Sequence, residues 1–277
     1  MAKKSLRPFL KWAGGKRQLL PRIRENLPKG WEERRYFEPF LGGGALLFDL
    51  HPSCAVINDI NSENINVYRI IRDDVEALIS HLANHENNRD YYYYVREMDR
   101  NEGYDKLTAV ERASRIIYLN RTCYNGLFRV NKRGQFNVPF GKYKKPAIVN
   151  EKVLREINSY FTANQIEILS GDFDDGVKSA EAGDFIYLDP PYDPLSASSS
   201  FTGYTLQGFN RDEQIRLKRL CDKLDKKGCN FLLSNSATPF IKELYADYTI
   251  KVVGANRNIN SLSSSRGRIE EVLVKNY

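Results

Sequence analysis

Apolar residues occur along this chain in blocks whose lengths match strands and helices. A short apolar run over Tyr36 to Phe40 precedes three glycines, an apolar helical stretch and a second short strand that ends at Asp59. The alternation returns after about residue 150, and further strands are expected in QIEILSGDF, DFIYLDPPY, CNFLLSN, DYTIKVVG and RIEEVLVKNY. Strands separated by helices in this way predict an open α/β sheet, mostly parallel.

A long segment with a different pattern interrupts this alternation. Over residues 61–119 apolar positions recur every three or four residues, which predicts helices, and Thr108 with Glu111 forms a capping box before one of them. Apolar and polar side chains then alternate over residues 128–130 and 136–140, on either side of the turn NKRG. This second part predicts a β-hairpin.

The charge of the chain is concentrated around that predicted hairpin. The chain has 42 basic and 35 acidic residues, a formal charge of +7, yet no Asp or Glu lies between Glu111 and Glu151. Nine basic residues lie in this stretch: Arg112, Arg115, Arg121, Arg129, Lys132, Arg133, Lys142, Lys144 and Lys145. Without them the chain has 33 basic and 35 acidic residues, so they account for the whole positive excess. Such a stretch indicates a surface for nucleic-acid phosphates.

The composition disfavours several other classes of protein. No stretch approaches the roughly 20 apolar residues of a membrane span, and the N-terminus lacks the apolar region of a signal peptide, so we expect a cytoplasmic protein without membrane contact. The four cysteines include no C-x-x-C pair, which predicts neither a disulfide framework nor a zinc site. His81 and His85 have helical spacing but no acidic ligand motif, which favours a solvated helix face over a metal site.

The first glycine turn and the end of the second strand predict a nucleoside site. Gly42, Gly43 and Gly44 would let the backbone approach a ligand, and Asp59 would accept ribose hydroxyls. The third glycine of a dinucleotide fingerprint would fall at residue 47, which is Leu, so NAD or FAD is disfavoured. A phosphate-binding P-loop fails at residue 10, which is Leu, and at residue 17, which is Arg.

The run DFIYLDPPY places a carboxylate, two prolines and a tyrosine at the end of a buried strand. Asp189 is an acceptor, and the prolines fix the backbone so that a carbonyl oxygen faces the space above the strand. Tyr192 adds a flat ring. Together these groups fit a planar amino group. The alternative, a proline turn after a strand-end Asp, stays open on these residues alone.

The order FLKWAGGK, FEPFLGGGA, NDIN, YLNRTCYNGLFR, GQFNVPFGKYKKP, GDF and DPPY resembles that of the Dam-type DNA adenine methyltransferases, up to about residue 236. The resemblance implies a Rossmann-like methyltransferase sheet, seven-stranded and mostly parallel, with an inserted helical and β-hairpin DNA-recognition domain. It implies a catalytic domain over residues 1–61 and 150–277 and a recognition domain over residues 62–149. It also implies methyl transfer from S-adenosylmethionine to N6 of a flipped-out adenine in double-stranded DNA, within GATC.

The same resemblance assigns roles to individual residues. Catalysis falls to Asp189, Pro190, Pro191 and Tyr192. The cofactor would contact Trp12, Ala13, Gly14, Lys16, Glu38, Pro39, Phe40, Gly42, Gly44, Asp59, Ile60, Asp172, Phe173 and Asp189. DNA would contact Lys11, Arg121, Tyr124, Asn125, Leu127, Arg129, Asn137, Pro139, Tyr143 and Lys144, with Arg129 reading guanine. The residues alone favour Trp12 as a core aromatic and Lys16 as a surface lysine, and they leave open whether Asp172 is an ordinary strand-end carboxylate.

Other activities remain as alternatives. Related motifs hold the amino groups of RNA adenine and of protein glutamine, but the inserted basic hairpin favours DNA. A catalytically silent DNA-binding module is disfavoured because DPPY, FLGGG and NDIN are all intact. Cytosine C5 methylation is disfavoured because the chain has no Pro-Cys. No metal and no obligatory protein partner are expected, and the serine-rich residues 195–204 are expected to form a mobile loop that closes on DNA.

Overall fold

Seven strands form a single sheet in the computed structural model, which describes residues 6–12, 16–131, 133–195, 208–256 and 268–277. The strands are β1 Tyr36–Glu38, β2 Cys54–Asp59, β3 Gln165–Ser170, β4 Phe185–Leu188, β5 Asn230–Ser236, β6 Thr249–Asn256 and β7 Arg268–Lys275. Their order is β3-β2-β1-β4-β5-β7-β6. The first five are parallel neighbours, whereas β7 is antiparallel to β5 and β6. The predicted sheet is therefore confirmed.

Helices cover both faces of this sheet and connect its strands. Within the described ranges they are α1 Leu20–Arg24, α2 Leu47–Leu50, α3 Ser62–Asp73, α4 Val75–Ala83, α5 Arg89–Glu97, α6 Ala109–Thr122, α7 Glu151–Ala163, α8 Arg211–Lys226 and α9 Pro239–Leu244. Most begin at a side chain that accepts a backbone N–H, as sequence signals predict. The capping box of Thr108 and Glu111 is confirmed at the start of α6.

Alternate strand residues point into two apolar layers. On β1, Tyr36 belongs to the layer beneath α3 and α7, and Phe37 belongs to the layer beneath α8 and α9. All four residues of β4 are buried, because helices cover both faces of the sheet there. This double burial explains why FIYL reads as a continuous apolar run.

The chain between β2 and β3 is mainly helical, as its periodicity predicts. α3 packs on β2, β3 and α7, and α4 and α6 pack on α3. The apolar layer on this side continues from the sheet into these helices. The division into residues 1–61 with 150–277 and residues 62–149 stays a prediction.

The basic hairpin is shorter than its pattern predicts. Its pairing consists of two isolated bridges, Val130 with Phe136 and Cys123 with Phe140. The turn is present, since the Gly134 amide donates to the Asn131 carbonyl. Burial still alternates, because Phe136 and Val138 pack in the core. Packing of these side chains, and not an extended β-ladder, holds the segment in place.

His85 corrects the expectation of a solvated histidine pair. Its ring stacks on Tyr118, with 4.4 Å between centroids, and hydrogen-bonds Tyr91 and Ser114. Burial, and then the neighbouring His81, lowers the pKa of His85 to about 4. Tyr91 lies on α5, within the stretch predicted to be helical.

Within the described ranges, no helix is long and apolar enough to cross a membrane.

Candidate functional site

The carboxyl ends of β1 and β2 meet at the glycine turn. Asp59 ends β2, and its two carboxylate oxygens accept the backbone amides of Gly42, at 2.8 Å, and Asn61, at 2.9 Å. The Gly42 carbonyl in turn accepts from Asn64 and Tyr68. Asp59 therefore fixes the shape of the turn, and a carboxylate has lone pairs left for a ligand.

The turn needs glycine for two reasons. Gly42 has φ +49° and Gly44 has φ +64°, a region that L side chains rarely adopt. A Cβ at Gly42 would also lie 2.8 Å from the Trp12 indole. Trp12 is half-buried and stacks on Phe128 of the basic segment, with 5.1 Å between ring centroids. Trp12 thus joins the turn to that segment.

An apolar wall lies beside the turn. Phe40 and Phe173 stack at 5.2 Å between centroids, and Phe209 meets both rings. The Ile60 side chain, directly after Asp59, is 58% exposed. Aromatic rings after β1 and an exposed apolar residue after the neighbouring strand β2 suit the flat purine of a nucleoside.

Asp172 is more engaged within the protein than expected for a ligand-binding carboxylate. Arg216 of α8 donates to both of its oxygens, at 2.8 and 2.7 Å. The hydrogen bond from Arg216 lowers the pKa of Asp172, against the effect of burial. The Arg216 guanidinium also lies 3.9 Å from the Phe173 ring centroid. Arg216 therefore holds the segment that carries Phe173 in place.

Glu38 is a buried carboxyl beneath the turn. Its Oε2 accepts the Tyr36 hydroxyl at 2.8 Å, and its exposed fraction is 2%. Burial raises the pKa of Glu38 to about 8, and the carboxylates of Asp189 and Asp59 add to that rise. Glu38 therefore keeps a proton near neutral pH. The neighbouring Pro39 carbonyl accepts from Asn58.

The Asp189 carboxylate is held through one oxygen. Oδ1 lies 2.8 Å from the Lys16 ammonium and accepts the Ser234 hydroxyl at 2.9 Å. Burial raises the pKa of Asp189, whereas Lys16 lowers it through its charge and hydrogen bond. No donor from the described part of the chain contacts Oδ2. One acceptor oxygen is thus left for a ligand.

The two prolines differ in what their carbonyl oxygens contact. The Pro191 carbonyl accepts the buried Gln214 amide at 2.8 Å, and Gln214 is held by Asn235. No described residue donates to the Pro190 carbonyl. A second acceptor, fixed by the proline backbone, therefore lies one residue after Asp189.

Tyr192 completes this group. Its half-buried ring has the Lys16 ammonium 4.3 Å from its centroid, and its hydroxyl donates to Glu271 at 2.9 Å. An acceptor oxygen of Asp189, the Pro190 carbonyl and an anchored ring can hold one planar exocyclic amine. No group of metal-ligating side chains was found among the residues that the structure describes.

Several predicted DNA contacts lie together on the insertion. Tyr124 is 54% exposed, and its amide donates to the Pro139 carbonyl. Asn125 is exposed with φ +56°, a strained conformation that often marks a functional position. The exposed Lys11 lies over the Tyr143 ring at 5.1 Å, and its backbone is bound to Asn120 of α6. Leu127 is half-buried and Lys144 is exposed.

Arg129 is exposed and already oriented. Its Nε donates to the Asn137 side-chain oxygen at 2.7 Å, and its terminal nitrogen donates to the Asn137 carbonyl at 3.1 Å. These two predicted DNA contacts therefore form one unit on the short hairpin.

Among the described residues, three arginines of the acid-free stretch bind partners from outside that stretch. Arg112 pairs with Glu63, and Arg115, with a side chain 3% exposed, pairs with Asp99 at 2.8 Å. Arg121, predicted to contact DNA, donates to the Phe9 carbonyl. Arg112 and Arg115 thus pair with acids from outside the stretch, and the phosphate contacts stay a prediction for the other basic residues. Exposed basic residues remain at Arg129, Arg133, Lys142, Lys144 and Lys145.

Some predicted residues lie outside the described ranges. Ala13 and Gly14 do, as does most of the serine-rich segment, of which residue 195 is described.

Sequence reasoning missed the supporting residues Ser234, Glu271, Gln214 and Arg216. Glu271 gave one signal, since it is a charged residue in the apolar strand RIEEVLVK. The other three are polar residues within strand or helix patterns that gave no indication of a partner.

The sequence is similar to known proteins over nearly its whole length. The family model described as D12 class N6 adenine-specific DNA methyltransferase matches residues 12–259. The type II methyltransferase M1.LlaDCHI of Lactococcus lactis subsp. cremoris is 51% identical over 275 residues, 99% of this chain and 96% of the relative. Type II methyltransferase M.MjaIII of Methanocaldococcus jannaschii is 43% identical over 290 residues, which are 98% of this chain and 99% of the relative. The DNA adenine methylase of Escherichia coli strain K12 is 35% identical over 279 residues, which are 98% of this chain and 95% of the relative.

Proposed function

The chain belongs to the D12 class of N6 adenine-specific DNA methyltransferases, and from that premise we propose how its residues act and which DNA it reads. The enzyme transfers a methyl group from S-adenosylmethionine to adenine N6 in DNA. The family match also decides against RNA adenine and protein glutamine as the acceptor. The roles of individual residues, the use of double-stranded DNA and the GATC target are the proposal.

The residues beside the glycine turn fit the cofactor. The backbone of Gly42 and Gly44 can approach it closely, and Asp59 can accept its ribose hydroxyls. Phe40, Phe173 and Ile60 form the wall for its adenine, and Trp12, Pro39 and Glu38 close the base of the pocket. The adenine of the cofactor contacts Phe173 more than Asp172, because Arg216 already donates to both Asp172 oxygens.

The target amine is held by the end of β4. Asp189 Oδ2 and the Pro190 carbonyl accept its two hydrogens, which draws the nitrogen toward tetrahedral geometry and localises its lone pair, and Tyr192 stacks on the base. The bound cofactor supplies an activated methyl group on a sulfonium, so alignment is the main task of the protein. The raised pKa of Asp189 suits it to receive the proton that the methylated amine must lose.

A duplex base reaches this position only after extrusion. Unstacking costs a few kcal/mol, which stacking on Tyr192 and the two hydrogen bonds offset. Tyr124, Asn125 and Pro139 lie where the insertion meets DNA and support the open duplex. Arg129 reads a guanine through O6 and N7, and Asn137 orients it. Lys144 contacts phosphate and Lys11 contacts a base.

One observation carries this proposal. The two acceptors, Asp189 Oδ2 and the Pro190 carbonyl, have no donor within the described residues and lie next to the anchored ring of Tyr192. A structural proline turn would need neither acceptor to be available.

The GATC target follows from the resemblance to Dam-type enzymes and is tested in cells. The chain is expressed in bacteria without adenine methylation, and genomic DNA is digested with one nuclease that GATC methylation blocks and one that requires it. We expect resistance to the first and cleavage by the second, with the Asp189→Ala variant as control. Full cleavage by the first nuclease, with N6-methyladenine still present in the DNA, would place the activity at another sequence.

A further inference from the structure

Glu271 occupies a strand position that stability alone does not favour. It lies on β7 between β5 and β6, opposite Ser236 and Val253, and is 7% exposed. The next three residues, Val272, Leu273 and Val274, are buried apolar side chains. Burial of a carboxylate carries a substantial free-energy cost, so an apolar residue would suit this position better.

The carboxylate of Glu271 contacts the proposed site through a single hydrogen bond. Among the described residues, its one donor is the Tyr192 hydroxyl, at 2.9 Å. The two residues are 79 positions apart in the chain, and the contact joins β7 to the loop after β4. Burial, with the nearby Asp189 and Glu271 carboxylates, raises the pKa of Tyr192 well above its ordinary value. The phenol therefore keeps the proton that it donates.

The neighbouring strand supports Asp189 in a parallel way. Ser234 of β5 donates to Asp189 Oδ1 and lies 3.1 Å from the Tyr187 hydroxyl. Two adjacent strands thus each supply one side chain to the DPPY segment. The side chains of Asp189 and Tyr192 are both half-buried. The Tyr192 side chain is held at its far end, through the hydroxyl.

We propose that Glu271 is a positioning residue, whose carboxylate holds the Tyr192 hydroxyl and so fixes the ring plane on which the target adenine stacks. The proposal rests on the proposed role of Tyr192. A ring fixed at its far end loses little freedom when a base stacks on it, so the amine stays aligned with the Asp189 and Pro190 acceptors. Without the anchor the ring swings about its first side-chain torsion.

The test compares two single variants and their combination. Tyr192→Phe keeps the ring and removes the hydroxyl, and Glu271→Ala removes the acceptor. We expect each to lower the single-turnover rate about tenfold at saturating cofactor, as loss of one orienting hydrogen bond implies. The double variant should be no slower than either single variant. Glu271→Gln keeps an acceptor oxygen and should recover most of the loss. Glu270→Ala, the exposed neighbour on β7, is the matched control.

A second readout reports the ring directly. An oligonucleotide duplex with 2-aminopurine at the target adenine is bound to each variant, and its fluorescence is compared at equal saturation. A base that stacks less firmly on Tyr192 is quenched less, so Glu271→Ala and Tyr192→Phe should both be brighter than the wild type. Tyr192→Ala should be brightest. A general packing role for Glu271 would change thermal stability without this optical change.

The outcomes distinguish the proposed role of Tyr192 from its anchoring by Glu271. If Tyr192→Ala methylates at the wild-type rate, the proposed role of Tyr192 fails. If Tyr192→Ala is impaired but Tyr192→Phe matches the wild type, the anchor is overturned while the proposed function stands. Effects of Glu271→Ala and Tyr192→Phe that multiply in the double variant also overturn it. Tyr192→Phe keeps the strand carboxylate, so it decides the matter even if Glu271→Ala does not fold.

Discussion

The Lys16 ammonium lies 2.8 Å from Asp189 Oδ1 and 4.3 Å from the Tyr192 ring centroid. In the protein alone, a cation thus occupies the space between the carboxylate and the ring that we assign to the target base. The contact favours the ionised form of Asp189, because Lys16 lowers the pKa that burial raises.

We expect Lys16 to set the lower pH limit of the reaction. Burial raises the pKa of Asp189 and Lys16 lowers it, so Lys16→Met should raise that pKa further. A protonated Asp189 cannot accept the new proton, and the acidic limb of the rate profile should shift to higher pH. The check is the single-turnover rate against pH at saturating cofactor, with Lys29→Met, an exposed lysine, as control. A rate that falls equally at every pH would contradict this role.

Glu38 makes the free energy of unfolding depend on pH. Its folded pKa of about 8 lies above the ordinary value of 4.5, so its contribution is fully present below pH 4.5 and is lost as pH rises through 8. Between about pH 6 and pH 9 we expect the wild type to lose on the order of 2–3 kcal/mol more than Glu38→Gln. Gln still accepts from Tyr36 but cannot ionise. Denaturant titrations measure the difference, with the exposed Glu32→Gln as control. Equal losses in both proteins would refute the assignment.

Arg129 should determine discrimination at one guanine. Arg129→Ala is expected to lower the preference for that guanine by ~1–3 kcal/mol. Asn137→Ala should act in the same direction but less, because the Asn137 backbone carbonyl still holds the guanidinium. The measurement is kcat/KM on duplexes with one base of the site replaced. Arg133 is an exposed arginine at the hairpin turn, and Arg133→Ala should lower kcat/KM on all sequences by the same factor. An unchanged ranking of sites in Arg129→Ala would remove Arg129 from readout.

The sheet could be predicted from the sequence because short runs of residues carry both the burial pattern of its strands and the motifs at their ends. The run FIYL is apolar at every position since helices cover both faces of β4, and the turn after β1 needs glycine because of its positive φ. The hairpin was less predictable. Alternation of apolar and polar side chains shows which residues face the core but not whether a β-ladder forms. The pattern over residues 128–140 therefore predicted burial correctly but predicted more strand than the structure has.

The supporting contacts of the site could not be predicted from spacing. Arg216 lies 44 residues from Asp172, and Glu271 lies 79 residues from Tyr192. Only the folded sheet brings these side chains together, by placing α8 beside the end of β3 and β7 beside β5. The same limit explains the acid-free stretch, where Glu63 and Asp99 come from elsewhere in the chain to pair with Arg112 and Arg115.

We propose that Asp189 holds the amine that receives the methyl group. The most direct test is the single-turnover methylation rate of Asp189→Ala on duplex DNA, measured together with its DNA affinity. Asp184→Ala, at the opposite end of β4, serves as control. We predict a rate at least about a hundredfold below wild type with DNA affinity nearly unchanged, as for removal of a group that acts on the reacting atoms. Methylation by Asp189→Ala near the wild-type rate would contradict the account.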